Sequence, residues 1–386
     1  MKTLCVSPAL LRDHFPVFQH KVYLNTCSYG AISLEVEAAL NAYVALRKTV
    51  GADWGLWAQK VERLRELLAN VLGGAAEDIA ISTSLSESVN SIASALDFTG
   101  TRHEVIITEF DFPTTSQIWH AQRVRGAKIV EIPASIDGTQ LLLESFEGAI
   151  SDRTLLVSIP HVCYWNGARV DIEPIIELAH SRGAYVLLDV FQSVGTFPFN
   201  CRELGADFVA GGCTKYLLGS AGVGFSYIRD SVKGELQPTA TGWLAQADPS
   251  SMNIHEHAPA RDARRFEAGT PNVPGLYAAE AGIEIVNALT VDRIWGSISM
   301  LCEIIRTEAA RAGYRLATPM DSAGHGALMA IRANDADSLV SCLAANDIVV
   351  TCRRDNIRIS VHFYNSVEDV EALFRSLRRH QSLLVR

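Results

Sequence analysis

With 386 residues, 48% of them apolar, the chain is long enough for two domains, or one large domain with a smaller appendage, around a sizeable core. Its net charge of −9, without a run of lysine or arginine, argues against a nucleic-acid or acidic-membrane surface and makes a small molecule the expected partner. No apolar segment approaches the roughly 20 residues of a membrane helix, the N-terminus lacks a signal-peptide core, and the eight scattered cysteines argue against a zinc ribbon or disulfide framework, so a reduced, cytoplasmic, metal-free protein is expected.

From about residue 34, apolar residues recur at helical spacing, as in "VERLRELLANVLG". In "ISTSLSESVNSIASAL", Ser84 and Glu87 stand at capping-box spacing ahead of an apolar-periodic helix, with Ser86 close behind. Such a helix start suits an anion, and a plain cap accounts for the same residues. The segments "EVIITE", "AKIVEIP", "TLLVSIP", "AYVLLDV" and "DFVAGG" are short, apolar and partly β-branched, with helix candidates such as "EPIIELAHSRGA" between several of them. Continuous apolar strands are buried on both faces, which predicts an α/β fold with a mostly parallel sheet covered by helices. After about residue 275, longer helices and a few strands, including "GALMAIR" and "NIRISVHF", predict a smaller α+β domain. The expected organisation is residues 1–20 packing with the small domain, 21–275 as the large domain and 276–386 as the small domain.

Ligands of such sheets bind at the carboxyl ends of the strands, so polar residues that follow apolar runs are the candidates. Asp189 ends "AYVLLDV", and Gln192 follows three residues later. A buried carboxylate is costly unless paired or hydrogen-bonded, and a helix cap or internal ion pair satisfies it as well as a ligand does. Lys215 lies one strand further on, in "GGCTKYLLGSAGVGF". Phe112, after "EVIITE", offers an aromatic face to a planar ligand or to the core, and "RRFEAGTPNV" leads into Gly269 and Thr270. Arg358 interrupts the apolar strand "NIRISVHF"; its fork calls for a carboxylate, from the protein or from a substrate. Gly219, Gly222 and Gly224 follow the lysine, an order that matches neither a phosphate-binding loop nor a dinucleotide fingerprint.

The pieces "LLDVFQSVG", "GGCTKYLLGSAGVGF" and "RRFEAGTPNV", at their mutual spacing, resemble fold-type-I pyridoxal-phosphate enzymes of the class V aminotransferase superfamily. That group includes cysteine desulfurases, kynureninases and isopenicillin-epimerase-like proteins. The resemblance runs from "VYLNTCSYGAIS" to "VHFYNSVEDVEAL". It implies pyridoxal 5'-phosphate as cofactor, Lys215 as the imine-forming lysine and Asp189 as partner of the pyridine nitrogen, these two being the catalytic pair. Gln192 would meet the phenolate oxygen, while the Leu85 backbone, Ser86 and the Thr214 hydroxyl would hold the phosphate and Phe112 would cover a ring face. Arg358 would bind the substrate α-carboxylate, with Asn25, Tyr29, Tyr164 and Trp165 around the substrate side chain. Gly269 and Thr270 would complete the phosphate site of a neighbouring subunit, which implies a homodimer.

Several positions depart from the best-known branches. Phe191 stands where desulfurases and kynureninases place a small alanine, Tyr164 where desulfurases carry asparagine, and Thr214 where they carry histidine. Cys352 sits on a short connection rather than a long mobile loop, which disfavours persulfide chemistry, and Gln192 replaces a histidine of kynureninases. The implied function is first a lyase that cleaves a C–S or C–C bond, or eliminates, on an α-amino acid. A class V aminotransferase is the alternative; an epimerase, a non-catalytic cofactor-binding protein and a nicotinamide dehydrogenase are further ones.

Overall fold

The computed structural model describes residues 8–386 except residue 322. Cys5 and the first seven residues of the expected N-terminal segment lie outside the described residues. The chain enters through β1 (Val22–Tyr23), followed by α1 (Leu34–Thr49) and α2 (Trp54–Leu72). Ser33 and Asp53 start the two helices by accepting the N–H groups of Val36 and Leu56. Strands and helices then alternate: β2 (Ile79–Ser82), α3 (Leu85–Ala95), β3 (Glu104–Thr108), α4 (Pro113–Ala121), β4 (Lys128–Ile132), α5 (Leu143–Ala149), β5 (Thr154–Pro160), α6 (Glu173–Ser181) and β6 (Tyr185–Asp189). A short α7 (Cys201–Leu204) precedes β7 (Phe208–Gly212) and β8 (Gly224–Ile228), and α8 (Asp230–Lys233) leads into a long connection.

These strands form one seven-stranded sheet in the order β2-β8-β7-β6-β5-β3-β4. Its ladders are parallel from β4 through to β7, whereas β8 runs antiparallel to both of its neighbours. The predicted mostly parallel sheet is therefore present, with one reversed strand. All of β5 is buried, and successive residues of β6 enter opposite layers: Val186 and Leu188 join one apolar core, Leu187 the other. Helices on both faces thus explain why these strands read as continuous apolar runs.

The chain continues through α9 (Val273–Leu289), which packs on α1 and α2, and α10 (Val291–Ala312). The expected boundary near residue 275 falls inside the first turn of α9. Then come β9 (Leu328–Arg332), α11 (Ala336–Ala344), β10 (Ile348–Val349), β11 (Thr351–Arg353), β12 (Asn356–Ser360) and α12 (Val367–Leu377). An antiparallel sheet β11-β12-β9 carries this region, and β10 pairs in parallel with β1. Arg12 forms a bidentate ion pair with Asp369, and Phe15 packs against Phe363 and Tyr364, so the chain before β1 lies on the C-terminal region.

Candidate active site

The parallel strands end along one edge of the sheet, and their exits face a common cavity of about 310 Å³. Thr83 to Ser86 arrive from β2, Phe110, Phe112 and Thr114 from β3, Pro160, Val162 and Tyr164 from β5. Asp189, Phe191 and Gln192 arrive from β6, and Gly212, Thr214 and Lys215 from β7. The reversed β8 begins at this edge with Gly224, whose backbone runs so close to α3 that a Cβ there would meet the Ser84 carbonyl carbon at 2.4 Å. Only glycine permits that approach.

Helix α3 opens on Ser84, which accepts the Glu87 N–H at 3.2 Å. Half of the expected capping box forms: the Glu87 carboxylate turns instead to the backbone and hydroxyl of Thr83, at 2.5 and 2.6 Å. The first N–H groups of the helix, those of Leu85 and Ser86, therefore border the cavity beside the paired Ser86 and Thr114 hydroxyls (3.2 Å). Together they make an anion cup.

Opposite the cup, Asp189 accepts the Phe191 N–H through Oδ1 at 2.8 Å. Burial pushes its pKa up to about 6, against the lowering effect of that N–H and of the Lys215 charge. Lys215 is itself desolvated, and its pKa falls to about 8 although the Asp189 charge opposes the fall. The two groups attract without closing into an ion pair. The Lys215 ammonium instead stands over two aromatic rings, 4.1 Å from the centroid of Phe191 and 5.9 Å from that of Phe112. Phe112 is 42% exposed and meets Tyr164 edge-on at 5.0 Å.

Gln192 donates its amide to the Cys27 carbonyl (3.0 Å), while its buried Oε1 has no partner. Arg358, 3% exposed, donates to the Tyr164 carbonyl (2.8 Å), the Thr351 hydroxyl (2.8 Å) and the Ser28 hydroxyl (3.3 Å). Its buried Nε is unpartnered, and no protein carboxylate pairs with it among the described residues. Ser28, Thr114 and Thr351 join the site without a sequence signal that marks them; Ser28 lies inside "VYLNTCSYGAIS", between the candidates Asn25 and Tyr29.

Not every expected residue faces the cavity. Asn25 accepts the Thr351 hydroxyl (3.2 Å), which in turn accepts from Arg358, and the Tyr29 hydroxyl accepts the Ala221 N–H at the cavity wall (2.8 Å). Trp165 is buried edge-on against Phe110. Gly269 and Thr270 line a separate small recess, which shares Thr83 with the main cavity. Cys352 donates its thiol to Asp337 at 3.1 Å, and burial and that carboxylate raise its pKa. In the ladder it pairs with Ile357, on the face opposite Arg358.

This donor set fits pyridoxal phosphate. A desolvated amine, a buried carboxylate, an aromatic plate and a helix N-terminus converge on one space. Fold and site together define a pyridoxal-phosphate enzyme of fold type I. The Aminotransferase class-V family model matches residues 45–373. The chain is 33% identical to an uncharacterized aminotransferase, YcbU, of Bacillus subtilis, over 94% of its own length and 95% of that protein's. It is 25% identical to a kynureninase of Geobacillus thermodenitrificans, over 93% of this chain and 88% of that one. Among solved structures, the apo cysteine desulfurase of Thermococcus onnurineus superposes with a TM-score of 0.87 at 23% identity, covering 97% and 98% of the two chains. The chain belongs to the class V aminotransferase family, and its cofactor is pyridoxal 5'-phosphate.

Proposed function

We propose that the chain is a lyase that cleaves a C–S or C–C bond, or eliminates, on an α-amino acid. The observation that carries this reading is the convergence of Lys215 and Asp189 on one cavity whose wall residues Tyr164 and Ser28 bind the buried Arg358, a guanidinium with its Nε unpartnered. The bound cofactor supplies an electron sink for the bond broken at the substrate. The chain's residues bind and orient. Desolvation holds Lys215 near neutrality, so its amine is a competent nucleophile toward a carbonyl and afterwards a proton carrier at the substrate Cα. With the cofactor bound, Asp189 would meet the pyridine nitrogen, Gln192 the phenolate oxygen and Phe112 a ring face. Leu85, Ser86 and Thr214 take the phosphate, and Arg358 fixes the α-carboxylate. Asn25, Tyr29 and Tyr164 shape the substrate side of the cavity.

Relatives named kynureninase and cysteine desulfurase support the lyase reading. The position of Cys352, turned from the clamp toward Asp337, favours cleavage without a thiol carrier on this strand. Transamination is the second reading, favoured by the name of the YcbU relative. We also propose a homodimer in which Gly269 and Thr270 of each subunit approach the phosphate cup of the other, and a division of each subunit near residue 275 into a large and a small domain.

The test is turnover of the purified holoenzyme with single amino acids and no keto acid. A lyase turns over repeatedly and keeps its visible absorbance; a transaminase stops after one equivalent with pyridoxamine phosphate. Borohydride treatment is expected to fix the cofactor on the peptide containing Lys215. Its recovery on another lysine, or the absence of a visible band after addition of pyridoxal phosphate, overturns the assignment.

A further inference from the structure

The hairpin that carries Arg358 also carries two exposed cations, Arg353 and Arg354, at its turn. Across the β11–β12 ladder Thr351 faces Arg358 and Arg353 faces Asn356. Directly opposed residues, and residues two apart on a strand, share a sheet face. Arg353 is therefore on the Arg358 face, one pair further out, and that face leads to the cavity through Tyr164 and Ser28. The charges of Arg358 and Arg353 both reach Lys215 and oppose its protonation.

The turn itself is held in a costly shape. Arg354 and Asp355 have φ values of 48° and 56°, two successive non-glycine residues in the left-handed region. Asn356 locks them by donating to the carbonyls of Arg353 (3.2 Å) and Arg354 (2.7 Å). This places the Arg354 guanidinium 4.9 Å over the ring of Trp165, whose edge meets the cavity residue Phe110. Arg353 donates only to the neighbouring Cys352 carbonyl. The nearby Asp337 is engaged by the Cys352 thiol on the opposite face. Among the described residues, none of Arg353, Arg354 and Arg358 forms an ion pair, although the chain as a whole carries a charge of −9.

We propose that Arg353 and Arg354 form a subsite for a second, distal carboxylate, so that the substrate is a dicarboxylic α-amino acid. The proposal rests on the reading of Arg358 as the α-carboxylate clamp. One carboxylate engages Arg358; a second, several bonds away, neutralises the outer pair, which meets no carboxylate among the described residues.

Calorimetric titration of the holoenzyme with glutarate, succinate, pentanoate and butyrate tests this without any reaction, because none of the four has an amine. The better dicarboxylate is expected to bind at least about tenfold more tightly than its monocarboxylate counterpart. The pair Arg353→Gln and Arg354→Asn, with asparagine chosen for its tolerance of positive φ, brings that ratio to about one. Arg358→Ala weakens both ligand types. Equal affinities in the unmodified holoenzyme, or a ratio that survives the double substitution, overturn the subsite. Either failure leaves the cofactor's visible band in place, whereas loss of that band speaks against the functional reading instead.

Discussion

At Asp189 a carboxylate is buried beside a lysine, and the conflict between desolvation and attraction sets how both behave. Its folded pKa of about 6 lies above the ordinary value of about 3.9. The folded state therefore holds this proton more tightly than the unfolded chain. The associated stability is fully present below about pH 4 and is lost as pH rises through about 6. Two units correspond to about 3 kcal/mol. The cofactor-free Asp189→Asn protein should consequently gain stability relative to the parent as pH rises from 4 to 7, in parallel urea titrations. A difference that is flat with pH would show that Asp189 titrates normally. In the holoenzyme, on the role proposed for Asp189, the same substitution is expected to lower kcat by at least about 100-fold.

Among the elements, β6 and β7 meet in a way that depends on size. Phe191, just beyond β6, lies over Gly212 at the end of β7, where a Cβ would come within 2.8 Å of its ring. The large residue at 191 and the absent side chain at 212 are two halves of one packing solution, and the Lys215 ammonium rests on the resulting aromatic surface. Gly212→Ala should therefore displace Phe191 and weaken pyridoxal-phosphate binding about tenfold, and adding Phe191→Ala should restore most of it. Cofactor titration of the two singles and the double measures the coupling, expected at about 1–2 kcal/mol. Additive effects would mean that the two positions do not share this space. The departure at Phe191 was legible in the sequence, since it replaces a small residue in a recognisable motif. Its compensation at Gly212 was not, because the two positions are 21 residues apart in the chain and meet only when β6 and β7 pair. The missed Ser28 and Thr351 have the same cause: they matter through Arg358, which lies 330 and 7 residues away.

On the scale of the whole molecule, two exposed tryptophans, Trp54 and Trp243, meet at the surface over the buried Trp57. Trp54 (53% exposed) stacks edge-on with Trp57 and with the partly exposed Trp243. Gly269 and Thr270 stand near Leu244 in the recess that shares Thr83 with the cofactor cavity. An exposed aromatic pair beside that recess suits the proposed subunit contact. The homodimer proposed above is expected to sediment at twice the 42.0 kDa chain mass. Trp54→Glu should shift it toward monomer and lower cofactor affinity in the same concentration range, as linkage between assembly and binding requires. A monomer that retains full cofactor occupancy would refute the shared phosphate site.

The sequence by itself determined the class of fold and the order of the chemistry. Strands buried on both faces must be apolar throughout, and the polar residues at or just beyond their ends, Asp189 and Lys215, announce themselves by breaking the pattern. Motif spacing carried the family because the cofactor's dimensions constrain which residues follow which strand. Tertiary structure decided what the motifs leave open: that Arg358 finds no protein carboxylate among the described residues, that Cys352 faces away from it, and that Arg353 lies on its side of the hairpin. Pairing register and side-chain direction are set by contacts between distant segments, and no local pattern of residues encodes them.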